Sequence, residues 1–192
     1  MSMSVKGTYV GMPSQIAVQP FSESYMKISG RIYSNVITDG EAIPSIPGAN
    51  YLLAVPIVLA KQTSFSEIGI YVETNAVGGK TRIGIYNDSG FFPNSLILDS
   101  GELDCSTTGE KKTAISLTLD AGTYWLAFVC NDNNLEFNHY RGAPAMLGTV
   151  AHGGDYSTDI GDSFAFGALP ATYPVAATYG RTVFNGVSLK VA

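Results

Sequence analysis

Apolar and polar residues alternate with a period of two through the middle of this chain, and no window sustains an i, i+3, i+4, i+7 apolar pattern for three turns. The clearest case is Thr113 to Leu119, where Ile115, Leu117 and Leu119 share one side and the Ser and Thr positions share the other. Asp120-Ala121-Gly122 then turns the chain into a strand from Thr123 to Cys130, with Tyr124, Leu126 and Phe128 on one face. Asn131-Asp132-Asn133-Asn134 is the next turn, since these side chains bond their own backbone and tolerate left-handed conformations. Leu135 to Tyr140 returns as a strand.

Upstream, Glu67 to Thr74 and Thr81 to Asn87 predict a hairpin around Val77-Gly78-Gly79-Lys80. Both arms carry Ile-Gly-Ile-Tyr, at Ile68 to Tyr71 and Ile83 to Tyr86, and Gly69 and Gly84 read as places where a bulky neighbour crosses the strand. Asn87 to Asn94 reads as a loop and Leu96-Ile97-Leu98 as a strand. The apolar run Tyr51 to Ala60 is about half a membrane span, is interrupted by Pro56, and reads as a buried strand. Strands at roughly 8–15-residue spacing predict an all-β fold, an antiparallel β-sandwich of the jelly-roll type.

Two regions flank this pattern. Residues 1–42 show no sustained period and are expected to form an extended N-terminal arm, with 43–192 as the jelly roll. Tyr9, Val10, Ile16, Val18 and Phe21 in the arm need a partner surface to cover them, which makes them the candidate attachment residues. The stretch 141–182 carries only Arg141, Asp155, Asp159, Asp162 and Arg181 as charges, so it is expected to be an excursion from the core. Its rings Phe164, Phe166, Tyr173 and Tyr179 would gain nothing in water and are expected at an interface between subunits. Thr182 to Val191 supplies a last strand.

Charged residues make up 14% of the chain, against about 25% in typical globular proteins, while hydrophobic residues reach 45%. That balance predicts surface hidden in a homo-oligomer. The net charge of −5 comes with no basic cluster, because Lys111-Lys112 follows Glu110, which argues against phosphate-driven nucleic-acid binding. Nothing predicts a membrane span, and the first residues show no apolar secretory region, so folding in a cytoplasm is expected. Cys105 and Cys130 have no metal-ligand spacing; packed reduced thiols are the first reading and a disulfide the second.

The chemical motifs are weak. Gly78-Gly79-Lys80-Thr81 resembles the end of a phosphate loop but lacks its first glycine and precedes a strand. Gly161-Asp162-Ser163-Phe164-Ala165 lacks the last glycine of a nucleophile elbow. His139 and His152 stand in no metal or catalytic spacing. Asp155, Asp159 and Asp162 read as turn carboxylates, with calcium ligation as the alternative. Phe91, Phe92, Tyr156 and Tyr173 read as core or interface rings, with a sugar-binding platform as the alternative. No catalytic residue, metal or cofactor is predicted.

At Ala54-Val55-Pro56, Phe65 to Ile70, Thr81 to Asp88, Ser100 to Leu103 and Ala121 to Ala127 the chain resembles a jelly-roll module of tailed-bacteriophage virion proteins. Leu169-Pro170-Ala171-Thr172-Tyr173-Pro174 is similar to a late segment of the same proteins, and the likeness spans about residues 48–192. Such modules occur in capsid-decorating, head-fibre and tail-fibre components. The resemblance implies a non-enzymatic, homotrimeric protein of the virion surface. Its partners would be itself and other virion proteins, such as the major capsid or tail proteins. The alternative it allows is a receptor-binding tip that contacts host-surface carbohydrate.

Overall fold

The computed structural model describes residues 30–33, 42–45, 47–140, 159–174, 178–180 and 186–192; the side chains of 42–45, 139, 140, 159 and 178–180 lie outside it. Within these residues the elements are β1 (Ile32–Tyr33), β2 (Ala42–Ser45), β3 (Tyr51–Leu59), β4 (Thr63–Thr74), β5 (Lys80–Asp88), β6 (Pro93–Asp99) and β7 (Leu103–Asp104). There follow β8 (Gly109–Leu119), β9 (Gly122–Cys130), β10 (Glu136–Tyr140), β11 (Asp159–Ser163), β12 (Thr178–Gly180) and β13 (Ser188–Val191). Every pairing between them is antiparallel.

Two sheets pack as a sandwich. One contains β2-β10-β4-β8 in that order, with β13 and β1 extending it beside the first half of β4. The other runs β12-β11-β3-β9-β5-β6, with β7 beside β5. Eight of the strands, 2-10-4-8 over 3-9-5-6, follow the double Greek key of a jelly roll, as the strand pattern predicts. The chain crosses between sheets at nearly every connection, and only β5 and β6 are sequential neighbours paired as a hairpin within the jelly roll.

The hairpin expected around Val77 to Lys80 is therefore not one: β4 and β5 lie in opposite sheets. The reason is that both strands need the same core. Ile68, Ile70 and Val72 of β4 and Ile83 and Ile85 of β5 are fully buried in one cluster, facing each other between the sheets instead of lying side by side. The crossing is tight. Gly78 is left-handed (φ 74°), and a Cβ on Gly79 would stand 2.9 Å from both Ala76 O and Leu135 Cδ2.

The alternation of Thr113 to Leu119 appears directly in β8, whose even-numbered residues from Glu110 to Thr118 are exposed. Tyr124, Leu126 and Phe128 share the inner face of β9, as expected. Pro56 is tolerated inside β3 because the ladder to β11 stops at Ala54, leaving Trp125 of β9 as its one partner. The last strand is shorter than Thr182 to Val191, beginning at Ser188. Ile32 and Tyr33 pair with β13 although they fall in the span read as an arm. Tyr9, Val10, Ile16, Val18 and Phe21 lie outside the described residues.

Candidate functional site

Three of the four expected subunit-interface rings, Phe164, Phe166 and Tyr173, sit in a second apolar layer. β3 and β9 are buried on both faces, so their outer residues Leu52, Ala54, Trp125, Ala127 and Val129 need a cover. The segment from Phe164 to Pro174 supplies it. Tyr173, expected at a subunit interface, is instead 1% exposed inside its own chain. Its hydroxyl bonds Leu52 O at 3.0 Å and Ile160 O at 2.9 Å, and its ring meets Tyr86 and Phe92 edge-on, centroids 5.2 and 6.2 Å apart. Phe164 and Phe166 are half-buried against the same layer, and the side chain of Tyr179 lies outside the described residues.

Polar contacts fasten this strap where an apolar cover alone would slide. Asp99 Oδ2 accepts from Arg82 Nη1 at 2.6 Å and from Leu169 N at 3.0 Å, while its Oδ1 accepts from Gly101 N at 2.9 Å. The Tyr86 hydroxyl donates to Pro170 O at 2.9 Å; burial, and next the Asp99 charge, push its pKa upward, so it stays a neutral donor. Trp125 Nε1 donates to Asp88 Oδ1 at 2.8 Å, and Asp88 Oδ2 accepts from Phe91 N at 3.2 Å. Sequence reasoning missed Arg82, Asp88 and Asp99. The available signal was the unbroken apolar run of β3 and β9, which marks strands covered on both faces.

The outer face of the other sheet carries charge. Glu67 lies 2.8 Å from Lys190 Nζ and 3.2 Å from Lys112 Nζ, and Lys112 also reaches Glu110 at 3.0 Å. Hydrogen bonds from Lys190, then Lys112, hold the Glu67 carboxyl below the usual range, and Glu110 and Glu67 raise Lys112. With Ile32, Gly69 and Ser188 these groups line a shallow surface cleft. Each carboxylate there has a cation beside it, so the cleft reads as a satisfied surface network, in which each ion pair contributes little.

Among the described residues the remaining sequence candidates do not assemble into a reactive group. Gly78 to Thr81 forms the turn into β5, with Lys80 Nζ 2.6 Å from Glu102. Ser163 ends β11 opposite Tyr51, in a strand and not at an elbow. Cys105 and Cys130 are free and buried, and burial pushes their thiols up to about 12 and about 11, which leaves them protonated and inert near neutrality. Asp162 Oδ1 accepts from Ser163 N at 2.7 Å; Asp155, His152, Tyr156 and the side chains of Asp159 and His139 lie outside the described residues. Of the rings read as core or interface, with a sugar platform as the alternative, Phe92 and Tyr173 are packed in the second layer and Phe91 stands 72% exposed at a hairpin tip. No group of three or more metal-ligating side chains occurs among the described residues.

No protein-family model matches the chain, and no curated protein matches it.

Proposed function

We propose that this chain is a non-enzymatic structural protein on the surface of a tailed-bacteriophage particle, either a capsid-decorating (cement) protein or a short fibre. The observation that carries the reading is the jelly-roll order 2-10-4-8 over 3-9-5-6, an architecture common in viral capsid domains. Fold and sequence resemblance are its warrant, since among the described residues no reactive group supplies one. The double cover of the β3–β9 sheet adds support, because a layer closed by its own chain makes a stiff module for display. The short β1 also suits the role. It joins residues 1–29 to the sheet edge at Gly30, whose N–H donates to Val191 O at 2.9 Å, so a chain leaving there is anchored at its root.

Locating the chain in a density map of whole particles tests the reading. The expected result is a jelly roll on the outer surface, with residues 1–29 running onto neighbouring virion chains. Particles that lack the chain would overturn it. Removing residues 1–29 while keeping Gly30 onward should abolish incorporation but leave a cooperative melt.

A further inference from the structure

The strap belongs to one apolar layer of the molecule and not to the other. The cluster between the sheets contains no residue of 164–174, whereas Leu169 and Tyr173, with Phe164 and Phe166 against them, belong to the outer cluster. The strap also stands on a single neck. The chain leaves β11 after Ser163, and by Thr178 it is back in a ladder opposite Gly161. A surface loop whose ends meet, and whose rings pack beneath it, can lift while every strand of the sandwich stays in place. Such segments open at a lower free energy than the core they cover.

Polar contacts at the far end hold the strap down. Leu96 N donates to Ala171 O at 2.9 Å and Tyr173 N to Asn94 O at 2.8 Å, which caps the edge of β6. Leu169 N donates to Asp99 Oδ2, the oxygen that also takes Arg82 Nη1. Arg82 Nε, on the same guanidinium, is buried with no hydrogen-bond partner. The closed strap therefore lies beside an unmatched donor that water would satisfy, a tension that favours opening. We infer that the strap is a lid that opens as a unit over an intact sandwich, with Asp99 as its latch. Closed is the resting state. Lifted, the strap uncovers Leu52, Ala54, Trp125, Ala127 and Val129 and frees the edge of β6, so the latch keeps an apolar face and a strand edge shut away.

Hydrogen exchange of the full-length protein at neutral pH, without denaturant, tests the lid. The amides of Leu96, Leu169 and Tyr173 are bonded across the strap contact, and those of Leu126 and Phe128 lie in β9, which is laddered on both sides. The first set is expected to exchange together, at least about tenfold faster than the second and well below the rate of an unprotected peptide. Leu169→Ala, in the outer layer, should speed the first set and leave the second unchanged; Ile68→Val, between the sheets, should do the reverse. Asp99→Ala should act as Leu169→Ala does, and acrylamide should quench the single tryptophan, the fully buried Trp125, several-fold more strongly than in wild type. Exchange of both sets in step, in wild type or in any of the three variants, would overturn the lid, as would strap amides that exchange at the unprotected rate. Unchanged strap exchange in Asp99→Ala would overturn the latch.

Discussion

The same four residues, Ile-Gly-Ile-Tyr, occur once in each sheet and meet opposite fates. In β4 and β5 alike, both isoleucines point into the core between the sheets. The tyrosines, on the outer faces, part company: Tyr71 is 46% exposed, while Tyr86 is fully buried beneath Leu169 to Tyr173. The glycines follow them. A Cβ on Gly84 would stand 2.4 Å from Leu169 Cδ1 and from Leu98 O, whereas one on Gly69 would meet Lys111 O and Lys112 Cβ at 3.2 Å. Local pattern therefore decides which face of a strand turns inward. What happens on the other face is decided by a segment some eighty residues further along the chain.

The sharpest way to break the comparison is to truncate both tyrosines. Tyr86→Ala removes a fully buried ring and the hydroxyl that holds Pro170 O, and should cost about 3–5 kcal/mol. Tyr71→Ala, on the open face, should stay within about 0.5 kcal/mol of wild type. Urea denaturation of the two variants measures the gap. Equal costs would mean that the strap contributes nothing to the stability of the sheet beneath it.

The glycine pair gives a smaller contrast of the same kind. Gly84→Ala forces a methyl group against backbone and against a fastened leucine, and should destabilise by about 1–3 kcal/mol. Gly69→Ala gains the lower chain entropy of alanine and meets Lys111 O and Lys112 Cβ at 3.2 Å, a contact that a few tenths of an ångström relieves. Its change should fall within about 1 kcal/mol of zero. Thermal melts of both variants would show the difference, and a Gly69→Ala loss as large as that of Gly84→Ala would place an unseen cover on the β4 face.

This asymmetry also marks how far the sequence could be read. Alternation in Thr113 to Leu119 revealed an inner and an outer face, because one side of β8 meets water. The turns at Asp120 to Gly122 and Asn131 to Asn134 were visible for the same local reason. The turn at Val77 to Lys80 was visible too, but whether its strands pair or cross depends on long-range burial, and the hairpin reading failed there. By sequence Tyr173 reads as an interface ring, because a mostly uncharged stretch offers no sign of which surface it covers. The matching sign lay elsewhere, in the continuous apolar runs of β3 and β9. Asp99 was beyond reach, since an aspartate at a strand end looks like a solvated turn residue until Arg82 and Leu169 converge on it.

The smallest expected effect belongs to the open face itself and depends on pH. Glu67 has its carboxyl held below the ordinary value of 4.5, first by Lys190 and then by Lys112. A carboxyl whose folded pKa is depressed contributes stability that is fully present above its unfolded value and is lost as pH falls through the folded one. Wild-type melting temperature should therefore hold steady from neutrality down to about pH 5 and then decline, with Glu67→Gln declining less over that window. Added salt should shrink the difference, because these groups are solvated and screened. Tyr86→Phe, a change on the covered face, should leave the acid slope unaltered, since its hydroxyl does not titrate there. If instead Glu67→Gln and wild type decline in parallel through the acid range, the charged cleft contributes nothing to folding and the open face of the sandwich is held by its ladder alone.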